Sequence, residues 1–110
     1  MSAPAQSSGE RAADQASSPA DALTRVFLIC NKKGLHARAS AKFVRIVEQF
    51  DAEVRVTRGN ETVGGTSIMG LMMLAASPGT SITVEATGPE AAEVMEALAA
   101  LIASRFGEED

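Results

Sequence analysis

The sequence predicts a single α+β domain in which an antiparallel sheet is covered on one face by amphipathic helices. Two kinds of pattern support this. Some stretches alternate apolar and polar residues as half-buried strands do, and others repeat apolar residues at helical spacing. Their order along the chain is strand, helix, strand, strand, helix, strand, helix. A chain of 110 residues accommodates one such domain and is too short for two.

The first strand is predicted at residues 24–30, a β-branched and aromatic run that ends at the turn-like residues 31–34. Phe27 and Ile29 lie on one side of this strand and Val26 and Leu28 on the other. Because both sides are apolar, the pattern leaves open which side faces the core.

The first helix is predicted at residues 37–50, where the spacing changes to that of a helix. The residues that recur on its apolar face are Phe43, Ile46, Val47 and Phe50. A neighbouring face carries the basic residues Arg38, Lys42 and Arg45.

The middle of the chain predicts a hairpin followed by a short helix. Residues 52–57 alternate as a strand, Gly59-Asn60 marks a turn, and residues 61–63 continue as a second short strand. Ser67 is placed to cap a helix over residues 68–76.

The last strand is predicted at residues 82–87, and the last helix starts at Gly88-Pro89-Glu90 with the proline in the first helical position. Gly107 is expected to end that helix. Its buried stripe is predicted to comprise Val94, Leu98, Leu101, Ile102 and Phe106.

Residues 1–21 are rich in Ala, Ser, Gln and Pro and have too few apolar residues to offset the entropy of ordering them. We expect a disordered tail at residues 1–21 and a folded domain at residues 22–110. The chain also lacks the pattern of a signal peptide and any apolar run long enough to span a membrane, which predicts a cytoplasmic protein.

Composition argues against several classes of function. A net charge of −4 argues against binding to nucleic acid, which requires clustered positive charge. One cysteine and one histidine allow neither an internal disulfide nor a zinc site, so no metal or other cofactor is expected. The sequence contains no combination of nucleophile and base, and no paired carboxylates, that would predict a hydrolase.

His36 lies where a loop becomes a helix. The unpaired N–H groups at the start of that helix, at Ala37 and Arg38, favour an anion, and the Arg38 guanidinium can bind phosphate oxygens. A neutral imidazole is a nucleophile and can carry a phosphoryl group. From the chemistry alone, however, a structural histidine at a helix cap is the simpler interpretation.

The segment Gly34-Leu35-His36-Ala37-Arg38 resembles the active-site signature of HPr, the histidine-containing phosphocarrier family of the phosphoenolpyruvate-dependent phosphotransferase system. The segment from Thr66 to Leu71 resembles the regulatory serine segment of the same family. The resemblance implies an open-faced βαββαβα sandwich of four antiparallel strands and three helices. It also implies a monomer that carries phosphate on His36, with Arg38 as phosphate partner, from enzyme I to EIIA-type domains.

One residue departs from the family pattern. Ala39 stands where the commonest form has proline, and it is expected to leave the first helical turn slightly looser.

The resemblance also implies that Ser67 is phosphorylated by HPr kinase/phosphorylase. The short helix has more apolar residues than one buried stripe can use, so we predict that some are exposed and form a partner-binding surface with the basic residues of the first helix. That surface comprises Lys42, Arg45, Ile68, Met69 and Met72. Two questions stay open: whether the output is sugar uptake or a nitrogen-related relay, and whether the protein is instead a regulatory binding protein that acts through its serine.

Overall fold

The computed structural model describes residues 22–108, so the predicted tail at residues 1–21 lies outside the described part of the chain. Seven elements follow one another in the predicted order, and a single 3-10 turn comes after the last helix. They are β1 (Leu23–Leu28), α1 (Ala37–Glu48), β2 (Glu53–Arg58), β3 (Glu61–Gly64), α2 (Ile68–Met73), β4 (Ser81–Thr87), α3 (Ala91–Ala103) and the 3-10 turn Arg105–Gly107.

The four strands form one sheet in the order β1-β4-β2-β3, and all three pairings are antiparallel. The pairing of β2 with β4 sets Val56 opposite Val84, and both side chains are fully buried. Apolar side chains of the helices cover this face, while the opposite face carries polar residues such as Arg55. The predicted α+β fold, with an antiparallel sheet covered on one face, is confirmed.

The structure decides which side of β1 is buried. Phe27 is paired with Ile82 across the sheet and is 8% exposed, whereas Val26 and Leu28 are 65% and 58% exposed. Ile29, which follows the strand, is fully buried. The guanidinium of Arg25 lies over the Phe27 ring, 5.1 Å from its centre.

The start of the last helix differs from the prediction. The N-cap of α3 is Glu90, so Pro89 precedes the helix instead of occupying its first position. Two hydrogen bonds to Asp51 hold Glu90 there: its backbone N–H donates to the Asp51 carbonyl at 3.0 Å, and its carboxylate accepts from the Asp51 N–H at 2.6 Å. These contacts with the segment before β2 determine where α3 begins.

The ends of two helices, α2 and α3, also differ from the prediction. Helix α2 ends at Met73, shorter than predicted, because Ala75 adopts a left-handed conformation with φ of +54°. Phe106 is buried as predicted, but it belongs to the 3-10 turn and not to α3.

No helix within residues 22–108 has the length and apolar character needed to cross a membrane.

Candidate functional site

His36 is the N-cap of α1. Its backbone is extended, its carbonyl accepts the Ser40 N–H at 2.8 Å, and its ring nitrogen Nδ1 accepts the backbone N–H of Arg38 at 3.3 Å. The side chain is 27% exposed. The ring therefore lies directly at the amino end of a helix, where backbone N–H groups and the helix dipole favour negative charge.

The loop before His36 is held close to the segment that follows α2. Leu35 donates its N–H to the Ala76 carbonyl at 3.0 Å, and its side chain is buried. Gly34 has a φ of +65°, and a β-carbon at this position would lie 2.3 Å from the Ala76 oxygen. The group that comes close to Gly34 is therefore the backbone of Ala76 and Ser77.

A carboxylate lies on the other side of the imidazole. Nε2 of His36 is in hydrogen-bond contact with a carboxylate oxygen of Glu108, whose side chain is 16% exposed. The side-chain amide of Asn31, which is fully buried, donates to both Glu108 oxygens at 3.2 and 3.1 Å and to the Gly34 carbonyl at 2.8 Å.

The two contacts of the His36 ring agree on one tautomer. Nδ1 accepts the Arg38 N–H and is therefore unprotonated, with its lone pair directed at that N–H, and Nε2 carries the proton that it donates to Glu108. The hydrogen bond from His36 lowers the pKa of the Glu108 carboxyl, and the Asn31 amide and the charge of Lys33 act in the same direction. Neither Asn31 nor Glu108 was predicted as a site residue, since neither forms a recognisable motif with His36.

A surface depression of about 560 Å³ opens beside the His36 ring. Ala37 and Arg38 are exposed there at the start of α1, and within residues 22–108 no carboxylate pairs with the Arg38 guanidinium. The depression is therefore predominantly basic, with one carboxylate. Its lining residues are Lys32, Lys33, His36, Ala37, Arg38, Lys42, Gly107 and Glu108.

The other two basic residues of α1, Arg45 and Lys42, differ in exposure and in hydrogen bonding. Arg45 is exposed on α1. Lys42 is half-buried, and its ammonium group donates to the Phe106 carbonyl at 2.6 Å. Ala39, at the position where proline was the expected residue, is fully buried.

Ser67 caps α2 as predicted, because its hydroxyl accepts the Gly70 N–H at 2.9 Å. Only one side of this short helix is buried, chiefly through Leu71. The opposite side exposes Ile68 (39%), Met69 (68%), Met72 (40%) and Met73 (72%). The first three were predicted to be exposed, and Met73, the most exposed of the four, was missed. We call these four residues the α2 apolar patch.

Helices α1 and α2 pack against each other, so the α2 apolar patch and the basic residues of α1 belong to neighbouring elements of the helical layer. Ser67, at the start of α2, is itself exposed. The two segments singled out in the sequence, around His36 and around Ser67, thus lie at the starts of two helices that pack against each other.

Comparison with known proteins identifies the group to which this molecule is related. Residues 23–104 match the family model described as the PTS HPr component phosphorylation site. The chain belongs to the HPr family. It is therefore a phosphocarrier of the phosphotransferase system and not an independent enzyme.

Individual relatives agree with this assignment. The chain is 51% identical to the phosphocarrier protein HPr of Cupriavidus necator over 86 residues, which cover 78% of this chain and 97% of that protein. It is 38% identical to the phosphocarrier protein NPr of Shewanella violacea over 86 residues, 78% of this chain and 94% of the relative. The crystal structure of HPr-C-His from Thermoanaerobacter tengcongensis superposes with a TM-score of 0.76 at 40% identity, over 80% of this chain and 99% of that one.

Proposed function

We propose that this protein accepts a phosphoryl group on Nδ1 of His36 from phosphorylated enzyme I and transfers it to EIIA-type domains. The observation that carries the proposal is the position of Nδ1. It lies at the amino end of α1 without a proton, and its lone pair accepts a 3.3 Å hydrogen bond from the Arg38 N–H, while Nε2 keeps its proton against Glu108. Such a nitrogen can act as a nucleophile without first losing a proton.

In the proposed step, the Nδ1 lone pair attacks phosphorus. A nitrogen–phosphorus bond forms while the bond between phosphorus and the donor breaks, and the leaving atom of the donor keeps that electron pair. Nε2 retains its proton, so the imidazole ring gains one positive charge. Onward transfer reverses these changes: the acceptor attacks phosphorus, and the electron pair of the nitrogen–phosphorus bond returns to Nδ1.

Two groups of this chain would hold the transferred phosphate. The Arg38 N–H, which donates to Nδ1 in the present structure, would donate to a phosphoryl oxygen once Nδ1 is bonded to phosphorus. The Arg38 guanidinium is exposed and has no carboxylate partner within residues 22–108, so it can meet the remaining oxygens. The surrounding lysines favour the approach of a phosphorylated, negatively charged partner.

The α2 apolar patch and the basic residues of α1 are proposed to bind enzyme I and the EIIA-type domains in turn. Four exposed apolar side chains on a six-residue helix exceed what the core uses, and methionine adapts to differently shaped partners. Arg45 is exposed on α1, which packs against α2, and can add charge complementarity. Lys42 contributes less directly, because its ammonium group is hydrogen-bonded to the Phe106 carbonyl.

Ser67 is proposed as a regulatory site for HPr kinase/phosphorylase. Its hydroxyl is exposed at the edge of the α2 apolar patch. A phosphate there would place negative charge beside a surface proposed to bind acidic partners, which weakens association through repulsion and desolvation. Ser67→Asp is therefore expected to weaken binding to enzyme I, and an unchanged affinity would count against the proposed surface.

We infer further that the protein acts in the cytoplasm as a monomer. Whether it serves sugar uptake or a nitrogen-related relay depends on its recipients. Sugar-permease components among the domains that accept phosphate would indicate uptake, whereas regulatory EIIA domains alone would indicate the relay.

The decisive experiment incubates the protein with enzyme I and phosphoenolpyruvate and measures intact mass and phosphorus NMR. The wild type is expected to gain one acid-labile phosphate. His36→Ala should gain none while keeping its fold, and Ser67→Ala, the matched control, should be phosphorylated like the wild type. Arg38→Ala should accept phosphate more slowly without a comparable loss of stability.

Labelling of His36→Ala would refute the assignment of the phosphorylated residue. An unlabelled wild type beside an active enzyme I would favour the alternative, a regulatory binding protein that acts through serine phosphorylation without phosphoryl transfer.

A further inference from the structure

The chain folds back onto His36 after α3. Residues 105–108, which we call the C-terminal strap, leave the helix through three consecutive residues with positive φ: Arg105 at +57°, Phe106 at +57° and Gly107 at +72°. Arginine and phenylalanine rarely adopt this left-handed conformation, which crowds their β-carbon. A strained backbone of this kind persists only where surrounding contacts determine it, and such segments are concentrated at functional sites.

Two contacts hold the strap. The Phe106 side chain is 1% exposed and belongs to the hydrophobic core. The Phe106 carbonyl accepts a 2.6 Å hydrogen bond from the Lys42 ammonium group of α1. Gly107 passes close to the same group, since a β-carbon there would lie 3.3 Å from Lys42 Nζ. The direction of the strap is thus determined by the core and by α1.

The strap ends with the Glu108 carboxylate in contact with Nε2 of His36. This carboxylate is not a freely rotating surface group, because its side chain is only 16% exposed and the buried Asn31 amide donates to both of its oxygens. Asn31 is itself fixed by its bond to the Gly34 carbonyl in the loop that carries His36. The loop and the strap therefore hold the ring jointly.

We propose that Glu108 is a positioning residue for phosphoryl transfer. It keeps the proton on Nε2, so that the lone pair is on Nδ1 at the amino end of α1. It also faces the positive charge that the ring gains when Nδ1 forms its bond to phosphorus. Glu108 lies outside residues 23–104, the part of the chain that matches the family model.

This role rests on the proposed function but extends it to a group outside the phosphorylation motif. During transfer the Nε2 proton stays between the ring and the carboxylate, and Glu108 forms no covalent bond. Its effect is electrostatic and geometric, since a carboxylate stabilises a cationic ring better than water or a neutral amide does.

The test compares Glu108→Ala and Glu108→Gln with the wild type. Glutamine keeps a neutral acceptor for the Nε2 proton, whereas alanine removes it. The matched control is Glu96→Ala, which deletes the same charge from a side chain on α3 that is 82% exposed. Backbone amide NMR spectra first establish that each variant is folded.

Two quantities are then measured on the full chain. Nitrogen NMR of the imidazole ring at alkaline pH reports which nitrogen carries the proton, and this measurement requires no partner protein. Quenched-flow measurement of phosphorylation by phosphorylated enzyme I, at several concentrations of this protein, separates the maximal rate from the apparent affinity.

We expect Glu108→Ala to raise the fraction of the Nδ1–H tautomer above that of the wild type and to lower the maximal rate about tenfold, which is the scale of one charge-assisted hydrogen bond. Glu108→Gln should restore the Nε2–H tautomer and part of the rate, and Glu96→Ala should behave as the wild type.

An unchanged tautomer together with an unchanged maximal rate in Glu108→Ala would overturn the proposal. A change confined to the apparent affinity would also overturn it, because Glu108 would then act in partner docking. If the wild type is not phosphorylated at all, the proposed function fails. The tautomer measurement would still decide whether Glu108 positions the ring.

Discussion

Gly34→Ala tests how closely the loop that carries His36 is packed. The added methyl group would lie 2.3 Å from the Ala76 carbonyl oxygen and 3.0 Å from the Ser77 α-carbon. Both neighbours are backbone atoms, so no side chain can rotate away to make room. The loop must therefore move away from Ala76, and the hydrogen bond from the Leu35 N–H to the Ala76 carbonyl, now 3.0 Å, would be lost.

The size of the effect follows from three contributions. The left-handed conformation of Gly34 costs a non-glycine residue about 1–2 kcal/mol. Loss of the Leu35 hydrogen bond costs about 1 kcal/mol. Alanine also restricts the unfolded chain, which offsets about 0.5 kcal/mol. We therefore expect a net loss of about 1.5–2.5 kcal/mol, or a fall in Tm of about 6–20 °C.

The control is Gly59→Ala. Gly59 has nearly the same φ, +62°, but no atom lies within 4 Å of the position that its β-carbon would occupy. This variant therefore measures the cost of the left-handed conformation alone, about 1 kcal/mol after the unfolded-state offset. Urea denaturation followed by circular dichroism gives the free energy of unfolding of both variants and the wild type.

The difference between the two variants isolates the contact between Gly34 and Ala76. Equal losses of stability in Gly34→Ala and Gly59→Ala would refute the close approach of the loop to Ala76. An intact Leu35 N–H···Ala76 hydrogen bond in Gly34→Ala, detected as a slowly exchanging Leu35 amide, would refute the proposed displacement of the loop.

Three further predictions concern stability. Ser67→Ala removes the acceptor of the Gly70 N–H and should lower the free energy of unfolding by about 1 kcal/mol in urea denaturation; no loss would contradict the capping role. Ala75→Gly relieves a φ of +54° and should raise the free energy of unfolding by about 0.5–1 kcal/mol. The control Ala100→Gly, within α3, should lower the free energy of unfolding by about 1 kcal/mol. The hydrogen bond from His36 lowers the pKa of Glu108, so the ionised Glu108 carboxylate stabilises the folded protein. This stabilisation is fully present above the usual pKa of a glutamate and is lost as the pH falls through the lowered pKa. NMR signals of the C-terminal strap that change only near neutral pH would contradict this pH dependence.

The amino-acid sequence by itself determines the order of the elements, the helix caps at His36 and Ser67, and the exposure of Ile68, Met69 and Met72 on α2. These features are local. The spacing of Phe43 and Val47 along α1 depends only on helix geometry, and a serine or histidine at a helix start bonds to N–H groups two or three residues away. The two motifs that resemble the HPr family are also contiguous, so they are recognisable without any tertiary structure.

Only the tertiary structure decided which side of β1 is buried, which backbone lies against Gly34 and which carboxylate contacts His36. Both sides of β1 are apolar, and its pairing with β4 at the edge of the sheet settles which of them meets the helices. Glu108 is separated from His36 by 72 positions, and its contact depends on the burial of Phe106 and on the left-handed turn that follows α3. No local pattern encodes such a contact, because it is the packing of the whole core that brings the two side chains together.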